Sequence, residues 1–150
     1  MVRIGDGRRA ASGGWTSLDN EITSELLAQV GFDFLLIDHE HGYGDTRGIT
    51  RQIQSLKETE CSALVRMPKD DEVYVKKTLD TGVNSLMFPA VNNRKEAENI
   101  VEMCRYAPKG YRGMYIGRAS SYGMNIKNYF ENIKKNLMIV CQIETGEGVS

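Results

Sequence analysis

The sequence predicts an α/β protein built on a parallel sheet. Short apolar runs recur along the chain without alternating with polar residues, and the stretches between them have the period of amphipathic helices. Such uninterrupted runs suit parallel strands covered on both faces. The strand ends Ile37, Val65 and Phe88 stand 28 and then 23 residues apart, the spacing of consecutive right-handed βαβ units.

Each element has a local cause. A weak apolar run at 15–18 makes the first strand, and stronger runs at 34–37, 63–65, 86–88 and 137–141 make the others. Asp19 or Asn20 caps a first helix whose Ile22, Leu26, Leu27 and Val30 share one face, with Gly31 just past its end. Ile49, Ile53 and Leu56 repeat the helical period. Asp70 or Asp71 opens a third helix that ends near Gly82. Asn92 or Asn93 opens a fourth, with Ala97, Ile100, Val101 and Cys104 on its inner stripe. The 55 residues from Phe88 to Ile143 hold either an insertion or an extra strand, for which 115–117 is the candidate. No linker divides the chain, so the reading is one domain over 14–150 after an N-terminal segment, 1–13, expected to lack order.

Composition excludes several functions. Nineteen Lys and Arg against twenty Asp and Glu leave a net charge of -1, which gives no basic field for nucleic acid or an anionic membrane. No apolar run approaches the roughly 20 residues that span a bilayer. The basic first ten residues lack the apolar stretch of a secretory signal, so the sequence predicts a cytoplasmic protein. Cys61, Cys104 and Cys141 lie about forty residues apart with no metal-ligand spacing, and read as buried free thiols.

The chemistry gathers where the apolar runs end. The second strand closes in Asp38-His39-Glu40-His41, the third in Arg66 and the last in Gln142-Ile143-Glu144. Carboxyl ends of parallel strands are where ligands bind, in barrels and open sheets alike, which favours an enzyme. The strand period places Gln142 and Glu144 on one side, one to meet substrate and the other a metal; capping a helix start is the lesser reading of Glu144. Arg66 needs an anion, either a substrate carboxylate or Asp38 and Glu40. Asp80 falls in the last turn of its helix, where the dipole disfavours negative charge, so it calls for a compensating partner.

Five ordered segments, FDFLLIDHEHG, ALVRMP, KKTLDTGVNSLMFPAV, CRYAPKGYRG and VCQIET, together resemble the HpcH/HpaI aldolase family from about Gly14 to the last residue. The resemblance implies a (β/α)8 barrel of the phosphoenolpyruvate/pyruvate-binding type, of which this chain would hold about the first five units. It implies a class II aldolase that cleaves 4-hydroxy-2-oxo acids reversibly to pyruvate and an aldehyde with Mg²⁺ or Mn²⁺. By that match His41 is the catalytic base, Asp80 the carboxylate that raises its basicity, and Arg66 the residue that stabilises negative charge. Gln142 matches the substrate-binding glutamine and Glu144 the first metal carboxylate. Trp15 resembles an aromatic residue lining the site, with a core tryptophan as the other reading, and Arg118 resembles a segment near it. A barrel takes about 250 residues, so the family's second metal carboxylate would lie beyond residue 150, and the fragment is expected to be inactive or nearly so. Members of the family commonly form hexamers, which implies a homo-oligomer.

Three rivals remain. A Schiff-base aldolase needs a strand-end lysine, and Lys69, three residues past Arg66, is nearest. A doubly wound nucleotide-binding domain fits the length, but Gly5, Gly7, Gly13 and Gly14 do not form its glycine pattern. A non-catalytic oligomerising scaffold is the third.

Overall fold

A computed structural model describes residues 10–149. Five strands form one parallel sheet in the order β1-β2-β3-β4-β5: Gly13–Thr16, Phe34–Asp38, Ser62–Arg66, Ser85–Phe88 and Met138–Cys141. Helices α1 (Glu21–Gln29), α2 (Thr46–Ser55), α3 (Glu72–Asp80) and α4 (Arg94–Cys104) return the chain between successive strands up to β4. A 3₁₀ turn, Arg118–Gly123, and helix α5 (Ile126–Asn136) fill the long interval before β5, and a short α6 (Gly146–Val149) follows it. Residues 1–9, which make up most of the N-terminal segment expected to lack order, lie outside the described residues.

The sequential order is decisive for fold class. A doubly wound sheet reverses direction at a switch point and carries helices on both faces. Here every strand pairs with its sequence neighbour. Residues of α2, α3 and α4 (Ile49, Val75, Leu79, Ile100, Met103 and Cys104) pack with Ile37, Val65, Leu86 and Phe88 on one side of the sheet. The other side carries Leu36 and Leu64 with Phe34, Met87 and Met138, and no helix residue. One helical layer around a curling sheet is barrel construction. The doubly wound rival, which needs helices on both faces, is excluded accordingly. A barrel's inner face is dry because other strands cover it, so its strands read as doubly buried in the sequence.

Capping explains where the helices start. Asn20, Asp45, Asp71 and Asn93 each accept hydrogen bonds from first-turn N–H groups, and the Glu96 carboxylate reaches back to the Asn92 N–H at 2.8 Å. The predicted inner face of α1 is overturned. Ile22, Leu26 and Val30 are 71%, 64% and 70% exposed, while Ser24 and Ala28 face the core and Leu27 is half-buried. Small residues allow α1 to approach α2 closely, and the Ser24 hydroxyl donates to Gln52 Oε1 at 2.9 Å. Nor is 115–117 a strand; it leads into the 3₁₀ turn. Helix α5 was legible from Ile126, Tyr129, Phe130 and Ile133 at helical spacing, a pattern the sequence reading passed over.

Candidate active site

Register brings Asp38 beside Arg66, and Arg66 beside Met87, at the carboxyl ends of β2, β3 and β4. Both charged side chains point to the inner face and are almost fully buried. Arg66 Nε donates to Asp38 Oδ1 at 2.9 Å and Nη2 to Oδ2 at 2.5 Å, a two-point clamp, while Nη1 lies 2.8 Å from Glu40 Oε2. Both structural anions proposed for Arg66 are therefore its partners. Burial alone would raise the pKa of Asp38, but hydrogen bonds from Arg66, the His41 N–H, Trp15 and the Glu40 N–H outweigh it and hold the carboxyl well below its usual range. The Asp38 hydrogen bond, opposed by desolvation, raises Arg66 further, with help from Glu40 and Glu144.

Trp15 lies beside the Asp38–Arg66 pair rather than in the core. It is 56% exposed, its Nε1–H donates to Asp38 Oδ2 at 3.2 Å, and its ring lies 4.7 Å from the Arg66 guanidinium carbon. Asp38 Oδ1 also accepts the N–H groups of Glu40 (3.0 Å) and His41 (3.2 Å), which fixes the turn carrying the imidazole. The His41 side chain is 73% exposed, with Nε2 3.9 Å from Glu40 Oε1. His39, by contrast, is buried: Nδ1 pairs with the Tyr74 hydroxyl at 2.6 Å, and desolvation lowers its pKa against the fields of Asp19, Asp45 and Asp38.

Beyond β5, Glu144 Oε2 accepts the Ala90 N–H at 2.8 Å, and Gln142 Nε2 lies 3.4 Å from Oε1. Gln142 Oε1 is buried without a hydrogen-bond partner among the described residues. Glu144 is not the helix cap; Thr145 is, its hydroxyl accepting the Gly148 N–H at 3.2 Å. Two expected site residues lie elsewhere. Asp80 closes α3, which returns the chain from the carboxyl end of β3 to the start of β4, away from the edge that bears His41. Its partner is Arg112, whose fully buried Nη2 donates to Asp80 Oδ1 at 2.9 Å while the guanidinium covers the Tyr106 ring. Arg118 donates to the Thr81 carbonyl and lines an outer cleft of about 560 Å³ with Asp80, Lys77, Arg47 and Tyr115. The thiols are free, and burial pushes Cys61 up to about 11 and Cys104 to about 12, so neither is a nucleophile at neutral pH.

Two carboxylates, Asp38 and Glu40, thus meet one guanidinium at the carboxyl ends of β2 and β3. The HpcH/HpaI aldolase/citrate lyase family model matches residues 11–150.

The chain belongs to the HpcH/HpaI aldolase/citrate lyase family.

A 5-keto-4-deoxy-D-glucarate aldolase of Escherichia coli O139:H28 (strain E24377A / ETEC) is 37% identical over 138 residues, which cover 91% of this chain and 54% of that protein. The crystal structure of a family protein from Burkholderia cenocepacia J2315 matches with a TM-score of 0.91 at 31% identity, over 98% of this chain and 60% of that one. An HpcH/HpaI aldolase from Desulfitobacterium hafniense DCB-2 gives 0.84 at 26% identity, over 93% and 54%. The chain therefore spans about half the length of the relatives it matches. Partial barrel and family alike agree with the sequence reading.

Proposed function

We propose that this HpcH/HpaI chain carries the first five units of a metal-dependent aldolase that cleaves 4-hydroxy-2-oxo acids to pyruvate and an aldehyde. The observation that carries the reading is the buried Asp38–Arg66–Glu40 cluster at the carboxyl ends of β2 and β3, with Glu144 following β5 at the same end of the parallel sheet. Excess negative charge around one guanidinium suits a bound cation. Among the described residues no three His, Cys, Asp or Glu side chains cluster tightly enough to enclose a metal. Mg²⁺ and Mn²⁺ fit such a site, because they accept one or two carboxylates and complete their shell with water and substrate oxygens. Glu144 would hold the cation, with the orphaned Gln142 Oε1 beside it for substrate. When bound, the cation supplies Lewis-acid polarisation of the 2-oxo group.

The chain's own groups do the rest. Asp38 and Trp15 lock Arg66 so that its charge is in place before the enolate forms. His41, on the turn fixed by Asp38, takes the C4 hydroxyl proton directly or through water. The C3–C4 bond then breaks, the aldehyde leaves, and the electron pair rests on a pyruvate enolate beside Arg66. Asp80, held by Arg112, takes no part within one chain. The partners implied are small oxo acids, pyruvate and aldehydes, with neither nucleic acid nor membrane, and further copies of the chain. No helix among the described residues is long and apolar enough to cross a membrane.

The test is exchange of the pyruvate methyl protons in D₂O with Mn²⁺ or Mg²⁺, followed by NMR. The 150-residue chain should exchange slowly, lose exchange on chelation, and lose it in Arg66→Ala and Glu144→Gln, while releasing little pyruvate from a 4-hydroxy-2-oxo acid. Exchange that survives both substitutions overturns the assignment. Exchange that survives chelation and is trapped by borohydride assigns a Schiff base instead.

A further inference from the structure

Ala90 stands in the left-handed region, at φ 51°, where a side-chain-bearing residue is disfavoured. That conformation aims its N–H at Glu144 Oε2, 2.8 Å away. One side chain grips the other backbone group of the same residue: Asn92 Nδ2 donates to the Ala90 carbonyl at 2.9 Å. The other end of the same amide accepts a hydrogen bond from the Thr145 hydroxyl, one residue past Glu144. The amide cannot be turned over, because its oxygen would then face the Ala90 carbonyl. Asn92 is itself fixed, since its N–H is held by Glu96 at the head of α4. A further bond, Val91 N–H to the Gln142 carbonyl at 3.1 Å, joins the same two loops.

We propose that Asn92 is the positioning residue for Glu144, locking the carboxylate's orientation from both sides through Ala90 and Thr145. The inference rests on the reading of Glu144 as the carboxylate that would hold the cation. Its chemistry is that of an outer hydrogen bond around a metal ligand: the ligand keeps one rotamer and pays no ordering cost on binding. Losing such a bond typically weakens metal affinity about tenfold or more.

The experiment titrates Mn²⁺ into the 150-residue chain by electron paramagnetic resonance, and follows the Ala90 amide by ¹⁵N NMR in the metal-free chain. Glu144→Gln should abolish binding and move the Ala90 amide upfield, because a carboxylate acceptor is lost. Asn92→Ala should weaken Mn²⁺ about tenfold and move the same amide, with amides of β2 and β3 unmoved. Thr145→Val should act in the same direction, and Thr145→Ser, which keeps the hydroxyl, should match the parent. If Glu144→Gln leaves Mn²⁺ affinity unchanged, the metal reading fails, and the Ala90 amide in Asn92→Ala alone decides whether the carboxylate is held. If Glu144→Gln abolishes binding while Thr145→Val and Asn92→Ala bind as the parent does, the positioning role is overturned. Should Asn92→Ala fail to fold, Thr145→Val against Thr145→Ser decides it.

Discussion

Replacing Asp38 by alanine removes the anion that Arg66 was buried against. The guanidinium is held by Asp38 at two points and by Glu40 at one, and both clamped side chains are nearly inaccessible. Breaking a buried pair from one side costs about 3–5 kcal/mol, since the remaining charge stays desolvated. Glu40, half-buried at 2.8 Å, still neutralises part of that charge and places Asp38→Ala at the lower end, about 3 kcal/mol. With an m-value of about 1–3 kcal/mol/M for a domain of this size, the urea midpoint should fall by about 1–3 M. Removing both charges with Asp38→Ala and Arg66→Met should recover much of the loss, with a coupling of about 2 kcal/mol in a double-mutant cycle. The pH dependence has the matching sign. The folded carboxyl titrates below its ordinary 3.8, so its contribution is complete above that value and drains as the pH falls through the folded pKa. A loss under about 1 kcal/mol for Asp38→Ala, or an Arg66→Met cost that is the same with and without Asp38, refutes the claim that this pair is a coupled anchor.

His39 is buried with its pKa below the ordinary 6.5, so the stability it contributes is present above that value and lost as the pH falls through the folded pKa. A melting-temperature series from about pH 7 to 5 should show that slope, and His39→Gln should flatten it. Gly48→Ala gains helix propensity yet places a Cβ 1.6 Å from Asp19 Oδ1, so a net loss of about 1–3 kcal/mol is expected in urea melts, and an unchanged midpoint would refute the contact. Exposed Ile22 and Leu26 on α1 should drive self-association, so Ile22→Lys with Leu26→Lys should lower the oligomer mass by light scattering and leave the melting temperature within a degree or two.

The sequence by itself determined the parallel strands and the first four helices, and its resemblance to the family implied the barrel class. Strand runs and caps are local: the pairs Asp19 or Asn20, Asp70 or Asp71 and Asn92 or Asn93 announce their helices, the second of each being the cap, and Arg66 closing an apolar run announces a charge in need of an anion. Those signals need only the chain's own period and the chemistry of each residue. Pairing between distant segments was decided by the tertiary structure alone. Asp80 turned to Arg112, Arg118 to the Thr81 carbonyl, and the apolar stripe of α1 outward, because each outcome depends on which surface lies opposite once the sheet has curled. Asn92, which holds Ala90, meets Thr145 across 53 residues of sequence, and no periodicity or propensity encodes a contact of that range.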